Sequence, residues 1–249
     1  MTMSEDLVSL RMLLVGAAQA NQELWRQATA LASIMFEFSP HDAASAARAL
    51  AMNGADICVL DAALADKDKT AIIGAARAAK PAPLIFASAP QGSARLEGID
   101  GQLTPPANVA EARKLVEICV RAKFPTRVLV VDDSGTMRSI VRKILSASHF
   151  TLDIHEAAEG IAALEQLRGA RFGLVFLDYN MPGLNGFETL AEIKRESPNV
   201  AVVMMSSALD SGIADRAHAS GVLAFLKKPF YPSDIDKVLE RFYGLHVPH

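Results

Sequence analysis

This chain is written twice, and that constrains its folding more than any other feature. Arg11-Met12-Leu13-Leu14-Val15 aligns with Arg127-Val128-Leu129-Val130-Val131 at an offset of 116, and Asp61 with Asp178 at 117. Ser88 aligns with Ser206 at 118, give or take one, and the stretch 98–106 with 221–229 at 123. The first copy has therefore lost about five residues between its fourth and fifth apolar runs, which predicts a shortened or missing fourth helix there. With 249 residues to divide, each copy has the size of an ordinary domain and can bury its own core.

Within each copy short apolar runs alternate with longer helical patterns. In the first, strands are predicted at 11–15, 34–38, 56–61, 83–88 and 99–103. Helices are predicted at 21–32, at 41–52 with Ser39-Pro40 as its start signal, and at 108–122. In the second, strands are predicted at 127–131, 152–155, 172–178, 200–205 and 222–226, with helices at 135–147, 161–168, 187–196, 213–220 and 234–242. This alternation argues for βαβ units and parallel sheets. The expected architecture is two α/β domains, 1–122 and 127–249, joined by a short linker at 123–126.

Charge and cysteine usage exclude several function classes. Residues 1–124 carry 12 basic and 13 acidic side chains and residues 125–249 carry 13 and 15, so neither half has a basic footprint for nucleic acid. Cys58 and Cys119 are too few for a disulfide framework or a zinc site. No signal-peptide pattern and no run of about 18 apolar residues occurs, which predicts a soluble cytoplasmic protein without a membrane partner.

The chemistry gathers on one edge of the second domain. Phe172-Gly173-Leu174-Val175-Phe176-Leu177-Asp178 is an apolar run of a doubly buried strand that stops at a carboxylate, and Tyr179-Asn180-Met181-Pro182-Gly183 turns the chain behind it. One Asp in that position is ordinarily a loop or capping residue. Here, however, Asp132-Asp133 follows the first strand, Ser206 ends the fourth and Lys228 follows the fifth. In a doubly wound sheet of order 2-1-3-4-5, strands one and three are neighbours, and their Asp residues share the crevice at the switch point. Three carboxylates so close repel one another unless a cation sits among them, and a hard divalent ion such as Mg²⁺ suits the oxygen donors. With Lys228 and the Ser206 hydroxyl converging on Asp178, the set suits phosphoryl transfer.

Taken in order, Val131-Asp132-Asp133-Ser134, Leu177-Asp178-Tyr179-Asn180-Met181-Pro182-Gly183, Ser206-Ser207-Ala208 and Lys227-Lys228-Pro229-Phe230 make residues 127–243 resemble the receiver domain of two-component response regulators. The resemblance implies a flavodoxin-like (βα)5 fold for both copies. It implies that Asp178 accepts phosphate from a sensor histidine kinase or phosphotransfer protein. Mg²⁺ would be held by Asp133, Asp178 and the Asn180 carbonyl, with Asp132 acting directly or through water. Lys228 and Ser206 would contact the phosphoryl oxygens, Phe225 would occupy an aromatic switch position, and the Lys228-Pro229 bond would be cis. Such a protein signals by contact or phosphorelay and promotes its own phosphorylation without being an enzyme toward other substrates.

The first copy resembles a receiver without its chemistry. Gly16-Ala17 stands for Asp132-Asp133, Ala63-Leu64-Ala65 for Asn180-Met181-Pro182, and Thr104 or Pro105 for Lys228, leaving Asp61 as a relic or a cap. The expectation is a degenerate receiver serving as an interaction platform, for a homodimer or a partner, with no DNA-binding output domain. A haloacid-dehalogenase phosphohydrolase, the rival with the same nucleophile, would place Asp-x-Asp after the first strand. A flavodoxin-like FMN carrier would need a hydroxyl-rich loop after the first strand, and Gly16-Ala17-Ala18 and Asp132-Asp133-Ser134 offer none.

Overall fold

The computed structural model describes residues 9–94, 96–207 and 211–245. One compact unit runs to Lys123 and takes in Gly244 and Leu245; the other is Phe124–Tyr243.

The first unit contains β1 (Ser9–Val15), α1 (Gln19–Ala30), β2 (Met35–His41), α2 (Ala43–Met52), β3 (Ile57–Leu60), α3 (Asp66–Ala78), β4 (Leu84–Ser88), β5 (Gly101–Leu103) and α4 (Val109–Lys123). Its sheet is parallel throughout, in the order β2-β1-β3-β4-β5. Every residue of β3 and β4 is buried, as central parallel strands covered on both faces must be. Among the described residues between β4 and β5 there are turns but no helix, as the lost residues predict; Arg95 lies outside the described residues.

Two sequence expectations need correction here. Ser39 and Pro40 are strand residues of β2, with Pro40 opposite Leu14. Because β2 is an edge strand, a proline's missing N–H costs the sheet nothing on its open side. The cap of α2 is Asp42, whose Oδ1 accepts from the Ser45 N–H at 2.8 Å. The other omission is α3. Only Ile72, Ile73 and Ala76 of its thirteen residues are buried, so its apolar stripe is faint against the surrounding alanines.

The second unit contains β6 (Thr126–Val131), α5 (Gly135–Ser146), β7 (Leu152–Ala157), α6 (Gly160–Gly169), β8 (Leu174–Asp178), α7 (Gly186–Glu196), β9 (Ala201–Ser206), α8 (Ser211–Ala219), β10 (Ala224–Lys227) and α9 (Pro232–Tyr243). Its parallel sheet has the order β7-β6-β8-β9-β10, which is 2-1-3-4-5 within the unit and matches the order of the first. Both sheets have the flavodoxin-like winding expected. One face of the second sheet is sealed by Val131, Val175, Leu177, Val202 and Met204, packed with Ala163, Leu190 and Ile193 of the covering helices.

Register brings the site together. Val131 pairs with Leu177, and Asp178 with Met205, so the residues that leave β6 and β8 do so side by side. The chain passes from β6 to β7 on one side and later to β8 on the other, which opens a crevice above the strand ends.

Candidate functional site

Each carboxylate is placed by its own local chemistry. Asp132 follows β6 and is fully buried; one of its oxygens accepts from the Ser134 N–H at 2.9 Å, turning the loop into α5. The Ser134 hydroxyl in turn caps α5 by accepting from Met137 N–H at 3.4 Å. Asp133 is exposed. Asp178 closes β8 and is 3% exposed.

The turn behind Asp178 is held from the far side. Asn185 and Glu188 form a capping box at the start of α7, with the Asn185 side chain accepting from the Phe187 and Glu188 N–H groups at 3.0 and 3.1 Å. The helix start then lies so close to the strand end that a Cβ on Gly186 would meet the Asp178 carbonyl oxygen at 2.6 Å. Gly183, inside the turn, has φ +76°.

Lys228 joins the two buried acids. Its Nζ donates to Asp132 Oδ2 at 2.6 Å and to Asp178 Oδ1 at 2.8 Å, and its side chain is only 14% exposed. Burial opposes its charge, and the two carboxylates outweigh that, so its pKa is raised. The Asp178 carboxyl is also raised. Burial is the main cause, the ammonium counters it in part, and Asp132 and Asp133 add to it. Carboxylate repulsion, the effect read from the sequence, is thus secondary to desolvation.

Asp132, Asp133 and Asp178 each offer an oxygen within 4.8 Å of the others. Three carboxylates and one ammonium leave a net negative, all-oxygen donor set, with one acid open to solvent, and that fits a hard divalent ion. The remaining predicted residues lie around this centre. Asn180 is exposed in the turn. Ser206 ends β9, fully buried, and its carbonyl accepts from the Lys228 N–H at 2.7 Å. Phe225 is half-buried, pairs with Met204 across the sheet and packs on the core. The Lys228-Pro229 peptide is cis. Ala208, the last residue of the Ser206-Ser207-Ala208 motif, lies outside the described residues.

The sequence does not disclose that Lys228 reaches Asp132 as well as Asp178; the two are 96 residues apart in the chain. It also misses Arg138, which donates to the Asp132 carbonyl at 2.7 Å. Its position one turn into α5, facing back to the acidic pair, is the only sequence signal.

At the matching edge of the first unit, Asp61 accepts from the Asn21 side-chain amide and from Ala63 N–H, the latter at 3.0 Å, and among the described residues no Lys or Arg pairs with it. Leu64 packs over Gly16, where a Cβ would sit 2.6 Å from Leu64 Cδ1. Asp61 is thus partnered by a neutral amide, whereas Asp178 in the second unit meets an ammonium.

Residues 128–240 match the family model described as the response regulator receiver domain. Over 115 residues the chain is 31% identical to the chemotaxis protein CheY of Listeria monocytogenes, spanning 46% of this chain and 96% of the relative. It is 30% identical over 115 residues to CheY of Thermotoga maritima, spanning 46% of this chain and 95% of that one. A solved structure of a probable two-component system response regulator/GGDEF domain protein matches 94% of this chain and 99% of its own, with a TM-score of 0.55 at 20% identity, a likeness of fold alone. Among the described residues no helix is long and apolar enough to cross a membrane.

Proposed function

Because this chain belongs to the response regulators of two-component signalling, with two receiver-type domains in tandem, we propose that its second unit accepts a phosphoryl group on Asp178. One observation carries the reading: a single ammonium, Lys228 Nζ, bridges Asp132 and Asp178 while Asp133 completes a set of three acids within 4.8 Å. No stability argument asks for two carboxylates to be buried together beneath a sheet edge. A site that must neutralise an incoming phosphate does ask for it.

In this reading an Asp178 oxygen attacks the phosphorus of a phosphorylated histidine or a small phosphodonor. The new O–P bond forms as the bond from phosphorus to the donor breaks, and catalysis is mostly positioning and charge neutralisation. Asp133, Asp178 and the Asn180 carbonyl would hold Mg²⁺, with Asp132 acting directly or through water; the ion supplies positive charge against the phosphoryl oxygens. Lys228 is poised to exchange its bond with Asp178 for one to a phosphoryl oxygen. Ser206 would be drawn toward that group, with Phe225 filling the space it leaves, so that the receiver shifts between two packings.

Signalling would then run through protein contacts or onward phosphorelay in the cytoplasm. The first unit keeps a full parallel sheet while its acid-pair positions are Gly16 and Ala17, which supports a role in surface and fold instead of chemistry. The test is labelling by a small phosphodonor with and without Mg²⁺. Wild type should label only with the ion, and Asp133→Ala should label weakly even in excess Mg²⁺. Equal labelling of Asp133→Ala and wild type would contradict the reading.

A further inference from the structure

Below the acidic pair lies a clamp that the chemistry of Asp178 does not itself require. Arg138, on α5, donates from Nη1 to the Asp132 carbonyl at 2.7 Å and to the Asp133 carbonyl at 3.4 Å. Its Nε donates to Glu156 Oε2 at 3.1 Å. Glu156 sits on β7, directly opposite Val130 in β6, and takes a second guanidinium, Arg142, at 2.5 Å. Arg142 also donates to the Ile154 carbonyl at 3.1 Å, and Gln166 to the Glu156 carbonyl at 2.9 Å. Apart from Arg138, the Glu156 carboxylate is therefore held by Arg142, and the Glu156 backbone by Gln166. Arg142 above all, with burial opposing and Arg138 assisting, holds the Glu156 carboxyl below the usual range, so it stays charged at neutral pH.

We propose that Arg138, braced by Glu156, is a positioning residue for the metal-binding acids: its fork fixes the backbone of Asp132 and Asp133 so that their carboxylates converge with Asp178. This inference rests on the metal reading given above and extends it to residues that would touch neither the ion nor phosphate. The planar guanidinium suits the task because two of its nitrogens work at once, one on the loop carbonyls and one on the carboxylate of the neighbouring strand. The opposite side of the loop is already tied, by the Asp132 N–H to the Ala157 carbonyl at 3.2 Å. With both backbone groups of Asp132 held, the side chains leave the loop in one direction.

Charge and position make opposite demands, which makes the proposal decidable. As a nearby positive charge alone, Arg138 would weaken Mg²⁺ binding, and its removal would tighten it. As a positioning residue it strengthens binding, since outer-shell partners of metal ligands typically contribute about 10–100-fold in affinity.

The experiment is a calorimetric Mg²⁺ titration of the full chain as wild type, Arg138→Met and Arg138→Lys, with backbone amide exchange of residues 132–134 followed in the metal-free proteins. Both variants should bind Mg²⁺ about tenfold more weakly, the Lys variant included although it keeps the charge. Amide exchange across 132–134 should be faster in each. Affinity that rises in Arg138→Met, or is unchanged in Arg138→Lys, would overturn the proposal. Should wild type bind no Mg²⁺, the metal reading itself fails, and unchanged amide exchange in the variants would then sink the clamp as well.

Discussion

Lys228 Nζ lies 2.6 Å from Asp132 Oδ2 and 2.8 Å from Asp178 Oδ1, so one ammonium just past the last strand ties together the ends of the neighbouring strands β6 and β8. Removing one partner of a buried ionic cluster leaves uncompensated charge, which costs about 3–5 kcal/mol. Lys228→Met should therefore lower unfolding stability by about that amount at pH 7 in chelator, and Mg²⁺ should restore part of it. Denaturant curves with and without the ion measure both. A variant as stable as wild type in chelator would mean that the two carboxylates do not depend on Lys228.

The pH dependence follows from Asp178. Burial, partly countered by Lys228, raises its carboxyl above the ordinary value. A group whose folded pKa is raised contributes stability that is fully present below the unfolded pKa and lost as pH rises through the folded one. Asp178→Asn removes that loss. Without Mg²⁺ the variant should be more stable than wild type at pH 7, and its advantage should shrink as pH falls toward the ordinary carboxylate range. Urea midpoints across that range give the sign, and an advantage that grows in acid would contradict it.

Gly186 carries a steric prediction. A methyl group there would press on the Asp178 carbonyl oxygen at 2.6 Å and on Tyr179 Cα at 2.7 Å, both backbone atoms that cannot swing away. Gly186→Ala should cost about 1–3 kcal/mol and lower phosphate acceptance by displacing the Asp178 strand end. Wild-type stability and labelling together would show that α7 moves freely against β8.

Ser206 and Phe225 bear on the response after the chemistry. Ser206→Ala should still accept phosphate but lose most of the conformational change, read as amide exchange across β9 and β10 before and after labelling. An undiminished response in the variant would separate Ser206 from the switch.

Much of this was legible because the residues concerned interrupt a strong pattern. Asp178 ends a wholly buried strand, and the order Asp132-Asp133, Asp178, Ser206, Lys228 can be read directly along the chain. The repeat likewise announced the two sheets and a shortened or missing helix after β4, where the described residues form turns. What stayed hidden depends on tertiary contact. Asn21 meets Asp61 across 40 residues, and Arg138 meets Glu156 across 18, distances at which no helical or strand period speaks. Ser39-Pro40 misled because the same residues serve a helix start and an edge strand, and only sheet order separates the two.

Locating the phosphoryl group tests the central claim most directly. The intact chain is labelled by a small phosphodonor in Mg²⁺, digested, and its acyl phosphate located by mass spectrometry, alongside Asp178→Ala. The label should fall on Asp178, vanish in the variant, and be absent from Asp61, where Asn21 and Leu64 offer no charge to a developing phosphate. Wild-type labelling of Asp178→Ala, or label on Asp61, would contradict the assignment of the second unit as the phosphoacceptor.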